Sequence, residues 1–305
     1  MDTNPSGMQH TITFHEQRAV IVEVGGGLRE YRVGGVHVLE GYAEDVICDG
    51  ARGALLAPWP NRIAKGRYEF NGKSYQLPIT EPELGNAIHG LVRWRPWSLA
   101  GRSDSSVSLT TRIHPQPGYP FTVDLATEYR LNDDGLTVRT SFTNLSSGPC
   151  PFGVGHHPYL SGGPEGIDSC YLQVPALKYL ESDRQSMLPV GSPRATHGSA
   201  VDFTKPRLVG NQILDTCFSE LERDESGLAW IHLVDPTGSR RSLWADRSWK
   251  FLQVFTGDTL PPLRRRTGLA VEPMSCVPDA FNSSLGEVLL EPGRTITMRW
   301  GLQHQ

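Results

Sequence analysis

The sequence predicts an all-β protein, a large single-domain antiparallel β-sandwich, and three observations lead to that class. Several segments alternate β-branched or aromatic residues with polar ones, which is the period of two that a half-buried strand shows. The 305 residues include 32 Gly and 23 Pro, which divide these segments into many short strands. Helical periodicity is nearly absent, and only residues 219–224 are predicted to form a turn or two of helix. Many short strands with frequent turn residues favour a sandwich or barrel.

The predicted strands share this alternation or a continuous β-branched run, and they are residues 19–24, 107–113, 123–129, 136–142, 251–255 and 296–302. The clearest pair is the hairpin whose corner is Asn132-Asp133-Asp134-Gly135. Asp-Gly supplies the positive φ that a tight connection between two strands requires. No linker, low-complexity tract or repeat interrupts the pattern, so residues 1–305 are predicted to form one domain, with residues 1–10 as a flexible tail.

Composition excludes several classes of protein. Hydrophobic residues make up 38%, charged residues 20%, and the formal net charge is -4, which is typical of a soluble protein and gives no reason to bind nucleic acid or an anionic membrane. The five cysteines are scattered without a C-x-x-C pair, so we expect neither disulfides nor a zinc site, and we predict a cytoplasmic protein. No apolar run is long enough for a membrane helix. No dinucleotide fingerprint or metal-ligand spacing is present, and we expect no cofactor and no metal.

Two adjacent histidines, His156 and His157, stand out in the segment Phe152-Gly153-Val154-Gly155-His156-His157-Pro158-Tyr159. Neighbouring side chains of an extended segment point to opposite faces, so one of the two histidines can face a given cavity. Imidazole exchanges protons near neutral pH, which makes either residue a candidate acid or base. Residue spacing alone leaves open which of them is used.

Two further regions carry candidate chemistry. Between residues 57 and 97, Asn, Arg and His residues lie among aromatic residues, a mixture that suits the apolar faces and the hydroxyls of a sugar. Farther along, Glu272 ends an apolar run and precedes Pro273. Burial would raise the pKa of such a carboxyl toward that of a useful general base, although a structural pair with an arginine is the alternative.

Taken together, five motifs resemble those of the aldose 1-epimerase (galactose mutarotase) family. In chain order they are Pro60-Asn61-Arg62-Ile63, Asn86-Ala87-Ile88-His89-Gly90, His157-Pro158-Tyr159, Asp215-Thr216-Cys217-Phe218, and Glu272-Pro273 with Pro278-Asp279-Ala280-Phe281-Asn282. The resemblance covers most of the chain. It implies the galactose mutarotase-like supersandwich, with a sugar lying in a cleft across one sheet.

The resemblance also implies roles for particular residues. Glu272 matches the catalytic glutamate and His157 the catalytic histidine, which would open and close the pyranose ring by acid–base catalysis and so interconvert the α and β anomers. His156 stands where the family often has Asn. The remaining candidates are predicted to bind the substrate, and they are Arg62, His89, Asp215, Asn61, Trp59, Arg93 and Tyr159. The partner is then a monosaccharide, and the protein is expected to be a monomer or homodimer.

Three alternatives remain open at the level of the sequence. The residues around Trp59 and the run Arg93-Trp94-Arg95 resemble a divergent bacterial branch that includes sulfoquinovose mutarotases, so Arg93 or Arg95 could pair with an anionic group on C6 of the sugar, as in a hexose 6-phosphate or sulfoquinovose. Asp215 and Glu272 could instead be the carboxylate pair of a glycoside hydrolase. The third alternative is a sugar-binding protein without catalysis.

Overall fold

Antiparallel β-sheets make up the fold, which confirms the predicted class. The computed structural model describes residues 4–283, 285–286 and 289–305. The strands are, in chain order, β1 (Gln9–Phe14), β2 (Gln17–Val22), β3 (Leu28–Val33), β4 (Val36–His37), β5 (Leu55–Leu56), β6 (Arg62–Ile63), β7 (Arg67–Phe70), β8 (Lys73–Gln76), β9 (Ala87–Ile88), β10 (Ser98–Arg102), β11 (Ser106–Ile113), β12 (Val123–Asn132), β13 (Gly135–Asn144), β14 (Cys150–Pro151), β15 (Gly155–His156), β16 (Tyr159–Ser161), β17 (Tyr171–Gln173), β18 (Ala176–Ser182), β19 (Pro189–Ala195), β20 (Arg207–Leu208), β21 (Asp215–Leu221), β22 (Ala229–Val234), β23 (Arg240–Ala245), β24 (Phe251–Phe255), β25 (Gly268–Met274), β26 (Leu289–Leu290) and β27 (Thr295–His304). Within the described ranges the helical structure is a single 3₁₀ turn, Ala64–Gly66.

Two large sheets form the sandwich. One sheet has nine strands in the order β10-β11-β12-β13-β27-β23-β22-β17-β20, and the other has eight, in the order β19-β18-β21-β24-β25-β15-β5 with β16 also pairing with β25. A smaller sheet, β1-β2-β3-β4, and three two-stranded pairs complete the structure. The hairpin predicted from its Asp-Gly corner is present as β12 and β13, with Asn132 opposite Gly135.

The core lies between the two large sheets. Strand β12 buries every second side chain, as its sequence alternation predicts. His156, on the eight-stranded sheet, reaches across the core, and its Nε2 lies 2.8 Å from Oγ1 of Thr140 on the nine-stranded sheet. Its ring also packs against Trp249 and Trp300. The inner face of the eight-stranded sheet therefore holds the core, and its other face is available for a site.

Two expectations about local structure were wrong. Residues 219–221 of the predicted helical turn at 219–224 are strand, because β21 (Asp215–Leu221) pairs with β18 and β24 on its two sides and these ladders outweigh a weak local pattern. Residues 222–224 have no regular secondary structure. The prediction of a flexible tail over residues 1–10 does not hold for Ser6, which is buried, or for Gln9 and His10, which pair with β2. Residues 1–3 lie outside the described residues.

All five cysteines are free thiols. Over the described ranges, no group of three or more His, Cys, Asp or Glu side chains is arranged to hold a metal ion. The same residues contain no helix with the length and apolarity needed to cross a bilayer.

Candidate active site

The two adjacent histidines point to opposite sides of the eight-stranded sheet. His156 lies in the core between the sheets, as described above, whereas His157 lies on the opposite side and lines a cavity of about 370 Å³. The physical reason is the alternation of side chains along extended backbone. Of the two adjacent histidines, His157 is therefore the one that a ligand in this cavity would contact.

Strand register brings His157 to Glu272. Gly155 lies opposite Met274 and Tyr159 lies opposite Ala270. His157, midway between Gly155 and Tyr159, therefore lies beside Glu272, midway between Ala270 and Met274. Nε2 of His157 lies 3.2 Å from Oε1 of Glu272. The two residues are 4% and 2% exposed, so the pair is removed from bulk water although it borders the cavity.

Burial controls the protonation of this pair. It raises the pKa of Glu272 well above its ordinary value, Asp215 raises it further, and Arg62 acts in the opposite direction. Burial also lowers the pKa of His157 to about 3. Both shifts favour the uncharged pair, in which the proton resides on the carboxyl group and the imidazole is neutral. Such a pair can pass one proton between its members.

Three adjacent strands present polar groups on the same face as Glu272. Gln253 lies opposite Glu272 in the β24–β25 ladder, and its Nε2 donates to Oδ1 of Asp215, on β21, at 2.5 Å. Burial raises the pKa of Asp215, while Arg62 and the bond from Gln253 lower it. The face is therefore lined by hydrogen-bonding groups suited to a polyhydroxylated ligand.

Arg62 is held by two carboxylates. Its Nε donates to Oε2 of Glu81 at 2.9 Å and its Nη2 to Oε1 at 2.8 Å, which is the bidentate geometry that a guanidinium favours. Its Nη1 lies 3.9 Å from Oδ2 of Asp215. Glu81 thus fixes two of the three nitrogens and directs the third toward the cavity.

Asn61 and His89 come together through the short β6–β9 pair. The His89 N–H donates to the carbonyl oxygen of Asn61 at 2.9 Å, and both residues have positive φ, 53° for Asn61 and 61° for His89. Such conformations cost free energy and are concentrated at functional sites. The rings of His89 and His157 lie 5.3 Å apart in an edge-to-face arrangement, and burial, with a smaller contribution from His157, lowers the pKa of His89.

The cavity brings together most of the residues that the sequence predicted. Those lining it are Asn61, Arg62, His89, Arg93, His157, Tyr159, Asp215 and Glu272. Trp59 was wrongly predicted to bind substrate, because it is 1% exposed and belongs to the hydrophobic core, where its ring packs against Phe281 at 6.0 Å. Arg95 does not line the cavity either, since its Nη1 donates to the carbonyl oxygen of Arg112 at 3.2 Å.

Sequence reasoning missed several polar or aromatic residues of the site, among them Glu81, Trp94 and Gln253. Glu81 and Trp94 line the cavity, and Gln253 bonds to Asp215. Glu81 and Trp94 fall within the polar and aromatic region already recognised, so their neighbours were a usable signal. Gln253 is the one polar residue in the strand Phe251–Phe255. A single polar residue in an apolar strand was a signal that could have identified it.

The comparison with known proteins agrees with this geometry. The family profile described as Aldose 1-epimerase matches residues 8–303. The chain belongs to the aldose 1-epimerase family. It is therefore an enzyme of the isomerase class, and the resemblance seen in the five sequence motifs is confirmed.

Individual members of the family cover most of the chain. YihR of Escherichia coli (strain K12) is 35% identical over 294 residues, which are 95% of this chain and 91% of that protein. Galactose mutarotase of Rattus norvegicus is 28% identical over 271 residues, 79% of this chain and 75% of its own. A solved structure of a GalM/aldose epimerase homologue from C. elegans has a TM-score of 0.86 at 18% identity, with 98% and 99% of the two chains covered. At that identity the structural likeness supports the fold.

Proposed function

We propose that this enzyme interconverts the α and β anomers of a free pyranose, with Glu272 and His157 as its acid–base pair. The observation that carries the proposal is the 3.2 Å separation between His157 Nε2 and Glu272 Oε1 at the wall of the cavity. The second carboxyl oxygen, Oε2 of Glu272, is buried and has no hydrogen-bond partner within the described part of the chain. A substrate hydroxyl would supply that partner.

The close spacing of the pair suits the chemistry of a hemiacetal. The hydroxyl oxygen O1 and the ring oxygen O5 are both bonded to C1, so the base that acts on one and the acid that acts on the other must lie side by side. Placement on neighbouring strands suits the reaction, because one sugar edge then meets both groups.

In the proposed mechanism the pair supplies both proton transfers. Moving the shared proton from Glu272 to His157 gives a carboxylate and an imidazolium without exchange with solvent. Glu272 then takes the proton from the O1 hydroxyl while His157 gives its proton to O5, and the C1–O5 bond breaks. After rotation about C1–C2, O5 attacks the other face of the aldehyde, and both protons return. General acid–base catalysis of this kind contributes about 10²- to 10⁴-fold per group.

The other residues of the cavity are proposed to orient the sugar. Arg62 and His89 would donate hydrogen bonds to ring substituents, Asp215 would accept them from neighbouring hydroxyls, and Asn61 would shape the turn that holds His89. Correct orientation of the reacting atoms is itself a large source of rate. No step requires a metal or a cofactor.

The test is anomer exchange of glucose and galactose, followed by NMR with the wild-type protein and Glu272→Gln. We expect the variant to lose at least about 10²-fold in kcat, because the amide cannot accept the O1 proton. Glu181→Gln is the control, since Glu181 forms an exposed pair with Arg194 at 2.5 Å away from the cavity. Near-normal exchange by Glu272→Gln would refute the base assignment. Release of nitrophenol from a nitrophenyl glycoside would favour the hydrolase alternative.

A second candidate, a preference for a sugar with an anionic C6 substituent, is supported by Arg93. Its side chain lines the cavity, and over the described ranges it forms no ion pair. Burial lowers its pKa, as expected for a guanidinium that lacks a carboxylate neighbour. An oxyanion of the substrate would complete this group. In the same exchange assay, glucose 6-phosphate and sulfoquinovose would react faster than glucose, and Arg93→Met would remove the difference. Equal rates of anomer exchange on all these sugars would refute a binding site for an anionic C6 substituent.

A further inference from the structure

A column of three groups, His157, Tyr159 and Arg52, supports one face of the His157 imidazole. The ring of Tyr159 lies 5.1 Å from that of His157, with an angle of 13° between the planes. On Tyr159, in turn, lies the guanidinium of Arg52, 4.3 Å from the ring centroid. Tyr159 therefore contacts both the imidazole of the proposed acid and the guanidinium of Arg52.

The imidazole lacks the usual hydrogen bond that orients a catalytic histidine. Such a histidine is commonly held through its second ring nitrogen, which fixes the tautomer and the direction of the ring. Here Nδ1 of His157 is buried and bonds to no other residue among those described. Contact with the flat face of Tyr159 thus restrains rotation of the ring, together with the contacts with Glu272 and His89.

Tyr159 and Arg52, which support the imidazole, are themselves held by hydrogen bonds. The Tyr159 hydroxyl donates to the carbonyl oxygen of Gly50 at 2.9 Å. Arg52 is 2% exposed, and its Nε donates to Oδ1 of Asp49 at 3.1 Å. A guanidinium held over an aromatic face is attracted by the ring's quadrupole, and the attraction is larger when the cation is desolvated. The restraint that Tyr159 applies to His157 is therefore backed by a buried cation.

Backbone hydrogen bonds tie the two segments of the column together. The N–H of His157 donates to the carbonyl oxygen of Ala54 at 3.0 Å, and the N–H of Gly53 donates to the carbonyl oxygen of His157 at 2.9 Å. Gly53 has a φ of +67°, and a Cβ there would lie 1.9 Å from the carbonyl oxygen of Leu28. The turn that carries Arg52 therefore requires glycine at position 53, because a residue with a Cβ would collide with the backbone of Leu28.

We propose that Tyr159 and Arg52 are positioning residues that hold the His157 ring in its reactive orientation by stacking, in place of a hydrogen bond to Nδ1. The inference rests on the proposed acid role of His157. It assigns Tyr159, predicted from the sequence to bind substrate, to the support of the acid, and it assigns a function to Arg52, which the sequence motifs did not mark.

The column also has an electrostatic consequence. The groups that face His157 are Glu272, His89, Arg93, Tyr159 and, behind Tyr159, Arg52. Burial is the main cause of the lowered pKa of His157. A hydrogen bond to its own backbone opposes burial, and the charges of Arg93 and Arg52 add smaller effects that lower the pKa further. A cation behind the ring makes the imidazolium a stronger acid, which favours proton transfer to the weakly basic O5.

The first part of the test separates stacking from other roles of Tyr159. In the ligand-free protein, we expect the ring current of Tyr159 to shift the His157 ring protons upfield, because the two rings are stacked. We expect Tyr159→Phe to keep this shift and to lose less than threefold in kcat, whereas Tyr159→Leu removes the shift and lowers kcat roughly tenfold with KM changed less than twofold. A wild-type kcat for Tyr159→Leu would overturn the proposal.

The second part tests Arg52 through the pH dependence of kcat/KM. Arg52→Met is expected to move the acidic limb of the profile to higher pH and to lower kcat about tenfold. Arg52→Lys keeps a cation without the planar guanidinium, so it should retain the position of the limb and still lose kcat. Arg241 is the matched control, because it is also buried and pairs with Asp235 at 2.9 Å. Arg241→Met should lose stability while its pH profile stays that of the wild type.

An unchanged acidic limb in Arg52→Met would overturn the electrostatic part, and unchanged kcat values in both Arg52 variants would overturn the positioning part. Failure of the proposed function is recognised separately. In that case the wild-type protein would show the upfield-shifted His157 protons, and hence an intact column, without any acceleration of anomer exchange.

Discussion

His156 should make the protein sensitive to mild acid, and this sensitivity can be calculated from the structure. Its imidazole is buried between the sheets, bonded through Nε2 to Thr140 at 2.8 Å, and Nδ1 has no partner among the described residues. Burial lowers the pKa of His156 to about 3, whereas an imidazole in the unfolded chain titrates near its ordinary value of about 6.5. The unfolded state therefore binds the proton first as the pH falls.

The sign and size follow from proton linkage. Because the folded pKa lies below the unfolded one, the stability that depends on neutral His156 is complete above about pH 7 and is lost as the pH falls toward about 3. With these two pKa values, lowering the pH from 7.5 to 5 costs about 2 kcal/mol through this residue alone. His157 adds a loss of the same sign, which is offset by Glu272, since its raised pKa makes the folded state bind the proton first.

The perturbation that isolates His156 is His156→Gln, which keeps a polar group within reach of Thr140 and removes the titration. Free energies of unfolding are measured by urea denaturation between pH 7.5 and 5, with tryptophan fluorescence as the signal. We expect the variant to be less stable at pH 7.5, because an amide fills the space of the ring imperfectly, but to lose about 2 kcal/mol less than the wild type on acidification.

Exposed His114 provides the control, since His114→Gln should leave the acid sensitivity of the wild type in place. If His156→Gln and the wild type lose the same free energy between pH 7.5 and 5, the reasoning is refuted. That outcome would mean that the core imidazole can be protonated without unfolding, and that the protein accommodates the charge.

Two further predictions concern residues that shape the cavity. Glu81→Gln should raise KM for the sugar about tenfold with a smaller change in kcat, because Arg62 loses the charged partner that orients its side chain. The kinetics of anomer exchange test this prediction, with Glu181→Gln as the control, and an unchanged KM would contradict it. Gly90→Ala should destabilise the protein by about 3 kcal/mol, because a Cβ there would lie 2.1 Å from the carbonyl oxygen of Ala57. Gly85 has nearly the same φ, +69° against +70°, with nothing within 4 Å of an added Cβ, so Gly85→Ala should cost measurably less in thermal unfolding, and equal losses would argue against the clash.

Local patterns of sequence predicted the fold class well because they report local physics. The alternation from Val123 to Phe142 and the Asp134-Gly135 corner predict a hairpin without reference to the rest of the chain, and the hairpin is present. The helical turn predicted at residues 219–224 failed for the converse reason. The first half of that segment lies in β21, which is paired on both sides by strands distant in the chain, and no local pattern reports such pairing.

The site divides in a similar way. Residue chemistry and motif order marked Arg62, His89, Asp215 and Glu272, and the structure brings these side chains to one cavity. Trp59 was wrongly assigned to the site, because the sequence around an aromatic residue beside polar ones does not show whether its ring faces a ligand or the core. The burial that distinguishes the two cases depends on Phe281, more than two hundred residues away.

The sequence by itself determined that this is an antiparallel β protein of the aldose 1-epimerase family and which residue types carry its chemistry, since these depend on residue identity and short-range periodicity. The tertiary structure alone showed that His157 lies against Glu272, that Glu81 holds Arg62, that Gln253 bonds to Asp215 and that Tyr159 contacts both His157 and Arg52. Those facts follow from the register between strands far apart in the chain, which sets every cross-strand contact at once and leaves no trace in any single segment.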